Sequence, residues 1–110
     1  MKYHPSLTRL YVLNKGPQAM ALMIASEFGR AANRSEHRDN VMKCYSRARE
    51  LMGILETLLL PVSVSQRLEP WYEKCQEIEL LSAERLQPSY VQQFCTQAAV
   101  EFNQAAQLLS

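Results

Sequence analysis

An unbroken heptad stripe through the middle of the chain limits what it can fold into. Val41, Tyr45, Ala48, Met52, Leu55 and Leu59 recur at alternating spacings of four and three. That rhythm puts all six on one face of an α-helix of about five turns. A second stripe runs toward the C-terminus through Val91, Phe94, Ala98, Phe102, Ala105 and Leu109. No strand signal, glycine-rich loop or metal-ligand cluster lies between or before them, so the chain reads as all-α.

Punctuation between the stripes gives the remaining elements. Residues 1–14 read as an N-terminal arm in which Leu7, Leu10, Tyr11 and Val12 can form a short helix opening at Ser6. Asn14-Lys15-Gly16-Pro17 breaks it, because the residue before proline avoids the α region and Pro17 suits a first helical turn. Helix 1 is predicted over about 17–33, with Met20, Met23, Ile24, Phe28 and Ala31 inward, and Ser35 can cap the next helix. Helix 2 is predicted over about 36–60, where Pro61 stops it. Val62-Ser63-Val64-Ser65 reads as a linker. Helix 3 starts near Ser65 or Pro70 and ends near Gln87, with Leu68, Trp71, Tyr72, Cys75, Ile78 and Leu81 inward. Pro88 opens helix 4, which continues almost to Ser110. Four helices with short connections predict an antiparallel up-and-down four-helix bundle, with one bundle domain over 15–110 behind the arm.

At 110 residues and 47% hydrophobic composition, the chain has enough apolar surface for one domain with a core. A net charge of +1 is not the strongly basic balance of a nucleic-acid binder. Arg30, Arg34, His37, Arg38, Lys43, Arg47 and Arg49 form a basic stretch, but Glu27, Glu36, Asp39 and Glu50 interleave with it, so it reads as a solvated mixed-charge face. No apolar run approaches the ~18–20 residues of a membrane span. Met1-Lys2-Tyr3-His4-Pro5 has no apolar core of a signal peptide, so a cytoplasmic location is expected. Three widely spaced cysteines argue for free thiols in a reducing compartment. Cys75 and Cys95 lie on apolar faces, and Cys44 beside the stripe is expected to be partly exposed.

Little in the sequence assembles into chemistry. His4 and His37 have no partner at metal-ligand spacing, and His37 does not belong to an inward Glu-x-x-His pair. Arg30 and His37 touch the Arg-x4-6-His spacing of helical HEPN-type ribonucleases, but Ala31 stands where a polar residue is required and a turn is predicted between the two. No histidine is placed to activate Cys44. Glu73, Glu77 and Glu79 read as a solvated face with Lys74 and Arg85. No nucleophile, base and oxyanion donor come together, so the expectation is a protein without enzymatic activity, cofactor or metal.

The apolar residues say more. Helix 2 carries Leu51, Ile54, Leu58 and Leu60 beside its main stripe, and helix 1 carries Ala19, Leu22 and Ala25 beside its own. A small bundle needs one apolar stripe per helix. The second is either covered by the arm or offered to a partner helix. Four of the five methionines fall within positions 20–52, which gives that surface adaptability.

At helix 1 the residues meet a family. Pro17-Gln18-Ala19-Met20-Ala21-Leu22-Met23-Ile24 resembles the Pro-Glu-Glu-Leu-Ile-Leu-Met-Leu segment of FliS-type flagellin export chaperones. Ala48-x-x-Leu51-Met52-x-x-Leu55 resembles their Ala-x-x-Ile-Ile-x-x-Leu pattern, and Trp71-Tyr72-Glu73-x-Cys75 is similar to their Leu-Tyr-Asp-Tyr-Met. Helix 4 follows their last amphipathic helix in position and length, so the resemblance spans about residues 3–108. The chain departs from the family at Ala25-Ser26-Glu27, where Tyr-Asp-Gly is usual, and it lacks the closing Trp of helix 4. The resemblance implies a cytosolic, non-enzymatic chaperone that holds the C-terminal helical segment of an unpolymerised filament subunit such as flagellin.

The expected site combines these readings. Met20, Met23, Ile24, Leu51, Ile54 and Leu58 would line an apolar groove beside helices 1 and 2 for an amphipathic segment of a client. Tyr3, Leu7, Leu10 and Tyr11 would form the arm that covers the groove when it is empty. A self-associating structural bundle, such as a homodimer, is the alternative of another class. A nuclease using Arg30 and His37 is a third.

Overall fold

The computed structural model describes residues 9–33, 38–81 and 87–109. Four helices account for most of them: α1 (Arg9–Asn33), α2 (Arg38–Glu56), α3 (Val62–Leu80) and α4 (Pro88–Leu108). Among the described residues there is no strand. Cross-helix pairs fix the directions. On α2 and α3, Tyr45 meets Glu79 while Met52 meets Tyr72. On α3 and α4, Arg67 meets Glu101 while Trp71 meets Phe94. In each case one helix is read upward as the other is read downward, so the four-helix bundle expected from the sequence is antiparallel and up-and-down.

The first break is also as expected. Gly16 has φ 86° and ψ 166°, so α1 consists of two helical pieces meeting at a kink. Among the described residues no other position has positive φ. Glycine adopts this region without the Cβ clash that other L-residues meet, and Pro17 then starts the long segment with its φ already set.

The two heptad stripes form the core. Val41, Tyr45, Ala48, Met52 and Leu55 are buried, as are Val91, Phe94, Ala98, Phe102 and Ala105. Phe28 on α1 sits among aromatic rings from its neighbours: Tyr45 at 6.3 Å, Phe94 at 5.7 Å and Phe102 at 5.9 Å between centroids. Phe94 in turn meets Trp71 of α3 at 5.6 Å. The chain Tyr45–Phe28–Phe94–Trp71 therefore links all four helices, each pair adding about 0.5–1.5 kcal/mol beyond simple burial.

Three boundaries differ from expectation. Helix 2 ends at Glu56 rather than near residue 60. There Thr57 N–H bonds to the Ile54 carbonyl and Leu58 N–H to that of Leu55, a tightening to i→i+3 geometry that closes the helix before Pro61. Leu59, the last residue of the stripe, is consequently fully exposed. Val62-Ser63-Val64-Ser65 is the first turn of α3 and not a linker. Pro61 precedes it, its carbonyl accepts from the Val64 and Ser65 N–H groups, and Val64 is buried. At the other end α3 stops at Leu80, so Leu81 is extended and exposed instead of inward.

The start of α4 at Pro88 agrees with expectation. The Gln92 side-chain amide donates to the Ala32 carbonyl at 3.3 Å, satisfying one of the free acceptors at the C-terminus of α1.

Candidate functional site

The residues expected to line a groove beside α1 and α2 differ in burial. Met20, Ile24 and Leu51 are buried in the core, and Met23, Ile54 and Leu58 are half-buried and pack against it. Tyr3 and Leu7 lie outside the described residues. Leu10 and Tyr11 fall in the first piece of α1, where only the backbone is described. The physical reason is the position of α1, which packs closely against both α2 and α4. A helix with two close neighbours needs a wider apolar sector than one with a single neighbour. The extra apolar residues of α1 and α2 largely serve this packing; Ala25 is buried, and only Leu22 of the second α1 stripe is exposed.

An open surface lies one interface further, between α2 and α3. It is a groove of about 520 Å³ lined by Met42, Tyr45, Ser46, Arg49, Glu50, Gly53 and Glu56 of α2 and by Glu79 of α3. The α2 residues recur at helical spacing and share one face. Backbone approach between α2 and α3 is sparse. Large side chains hold the two helices together instead.

Two tyrosines make reciprocal contacts across this interface. The Tyr45 hydroxyl of α2 lies 3.2 Å from the Cys75 carbonyl and 2.9 Å from Glu79 Oε2, both on α3. From α3, the Tyr72 hydroxyl donates to the Met52 carbonyl of α2 at 3.1 Å. A helical carbonyl has a second lone pair to offer such donors. Burial is the main cause that raises both phenols well above the ordinary tyrosine value, so they serve as neutral hydrogen-bond donors at neutral pH.

Arg49 completes the cluster. Its Nε donates to Glu79 Oε2 at 2.6 Å and its Nη2 to Oε1 at 3.3 Å, a two-point pairing matched to the shape of a carboxylate. Desolvation pushes the Glu79 carboxyl up, but hydrogen bonds from Arg49 and Tyr45 outweigh it and hold the group below the usual carboxylate range. The Arg49 guanidinium is shifted upward, chiefly by its hydrogen bond to Glu79. Glu50 and Glu56 have no ion pair among the described residues.

Sequence reasoning placed Tyr45 in the core stripe and Glu79 on a solvated face, and did not connect them. They stand 34 residues apart, and no periodicity within one helix reports a pairing between two. The local signal was the mixed character of the α2 face, where Gly53 interrupts a row of long side chains.

A second cluster corrects the mixed-charge reading. Glu27 is 5% exposed, not solvated. Its Oε1 accepts from Arg30 Nη1 at 2.5 Å, and its Oε2 lies 3.8 Å from Arg47 Nη1 of α2. Glu27 Oε2 and Arg47 Nε are buried without a hydrogen bond. Arg30, one of the two residues of the nuclease reading, is therefore engaged by Glu27, while His37 lies outside the described residues.

All three cysteines are free and buried, including Cys44, which was expected to be partly exposed. Burial pushes the Cys75 thiol up to about 11 and the Cys95 thiol up to about 12. Among the described residues no group of three His, Cys, Asp or Glu is placed to hold a metal ion, and no helix is long and apolar enough to cross a membrane. No protein-family model matches the chain, and neither does any curated protein or solved structure.

Proposed function

We propose that this chain is a small export chaperone or adaptor that docks an amphipathic helical segment of a client protein and prevents its premature assembly. The α2–α3 groove is the observation that carries this reading. Its α2 wall runs from Met42 to Glu56, a length of about 21 Å at 1.5 Å per residue, which suits a docked helix of about four turns. The half-buried Met42 offers apolar contact, and Gly53 leaves space for close approach, since a Cβ added there would meet nothing within 4 Å. Such a wall suits helix-in-groove recognition. The resemblance to FliS-type chaperones supports a filament subunit such as flagellin as the client and the cytoplasm as the place of action.

Pull-down from extract of the source organism, with the wild-type chain and Gly53→Arg as parallel baits, tests the proposal. The arginine fills the groove from an exposed helical position, so the fold is retained. Recovery of a filament subunit by wild type, lost with Gly53→Arg, is the expected result. Equal recovery by both baits overturns the groove as the docking site.

A self-associating bundle is the second reading, favoured by apolar side chains near one end. Leu59 in the α2–α3 connection, Val62 at the start of α3 and Leu108 at the end of α4 are all exposed. A dimer in solution and no client in the pull-down would select it.

A further inference from the structure

From the charge on the groove we infer that its occupant is a basic amphipathic helix, presenting lysine or arginine side chains on either side of its apolar stripe. The inference rests on the reading of the α2–α3 groove as a docking site, and adds the chemistry of what docks there.

Three carboxylates and one guanidinium line the groove: Glu50, Glu56 and Glu79 against Arg49. Arg49 is held at two points by Glu79, so its positive charge is already matched. Glu50 and Glu56 remain, with no ion pair among the described residues. They flank Gly53 by three residues on either side and stand about 9 Å apart along the axis of α2. A helix lying in the groove with its backbone near Gly53 passes between them. Basic side chains about two turns apart on that helix reach both carboxylates while its apolar stripe covers Met42 and Gly53.

An acidic client segment would place like charges together, which costs affinity directly and slows encounter. The groove therefore discriminates by charge as well as by shape. The chain as a whole carries +1, so the negative character is local to this face and does not follow from the overall balance.

The test uses the full chain and two labelled synthetic helical peptides with the same Leu/Ala apolar stripe. One carries Lys on its polar flanks and the other carries Glu. Fluorescence anisotropy should show binding of the Lys peptide and at least about tenfold weaker binding of the Glu peptide, with the preference shrinking as salt is raised. The double variant Glu50→Lys/Glu56→Lys, substituted on the helix surface, should reverse the preference while its helical circular dichroism and melting temperature stay close to wild type. Equal binding of both peptides, each abolished by Gly53→Arg, overturns the basic-helix inference but leaves the groove as a docking site. Binding of neither peptide, or binding that survives Gly53→Arg, overturns both. A wild-type dimer in sedimentation that dissociates on Gly53→Arg would assign the groove to a second copy of this chain and also overturn the inference.

Discussion

Tyr45 and Tyr72 reach across the same helix pair in opposite directions, each placing its hydroxyl on a backbone carbonyl of the other helix, 3.2 Å from that of Cys75 and 3.1 Å from that of Met52. The α2–α3 interface is thus held by long side chains, which leaves the groove open above them. The Glu79 carboxylate adds a charged partner for Tyr45 on the groove side.

Tyr45→Phe keeps the ring against Phe28 and removes only the hydroxyl. A loss of about 1 kcal/mol is expected, the usual net value of one hydrogen bond, read as a lower denaturation midpoint with an unchanged slope. The contribution of Glu79 carries a pH signature. Its folded value lies below the ordinary 4.5, so the stability it supplies is complete above the unfolded value and is lost as pH falls through the folded one. The advantage of wild type over Glu79→Gln should therefore hold near neutrality and shrink in the acid range. An advantage that grew with acidification would contradict the pairing.

The Glu27–Arg47 contact between α1 and α2 should be non-additive. Glu27→Leu removes the carboxylate and leaves a largely buried guanidinium without its counter-charge. Arg30 and Arg47 keep 52% and 30% of their side chains exposed, so the cost falls below that of a fully buried pair, at about 1–3 kcal/mol. Adding Arg47→Met should recover most of it, because it removes the one charge that Glu27→Leu leaves unmatched and puts two apolar side chains in place of the pair. Equilibrium denaturation of the two single variants and the double variant closes the cycle.

Two glycines should respond to alanine with opposite signs. Both have open space where a Cβ would go, so backbone conformation decides. Gly16 has φ 86° and ψ 166°, a region that is essentially glycine's alone, and alanine there should cost about 1–3 kcal/mol. Gly53 lies inside α2, and alanine there should stabilise by about 0.5–1 kcal/mol. Thermal unfolding of the two variants against wild type measures the difference.

The three thiols should be slow to react in the native state. With Cys75 raised to about 11 and Cys95 to about 12, almost none of either is thiolate at mildly alkaline pH, and Cys44 is sterically enclosed. A chromogenic disulfide reagent should label the folded chain only at the rate of its unfolding, and should titrate three thiols in denaturant. Rapid labelling of a native thiol would mean that the core opens locally.

The antiparallel four-helix bundle, the two heptad stripes as far as Leu55 and Ala105, the break at Gly16 and the start of α4 at Pro88 are all determined by the sequence. These features are local: a helix face needs only the spacing of its own apolar residues, and a break needs only Gly and Pro in order. Tertiary structure decided how each face is used. Met20, Ile24 and Leu51 look like spare apolar surface on isolated helices, but α1 lies against two neighbours and encloses them. Glu27 reads as solvated until Arg30 and Arg47 converge on it. The groove itself depends on the distance between α2 and α3, which Tyr45, Arg49, Tyr72 and Glu79 set together. Burial and pairing are relations between helices, and periodicity within one helix carries no record of which neighbour stands opposite.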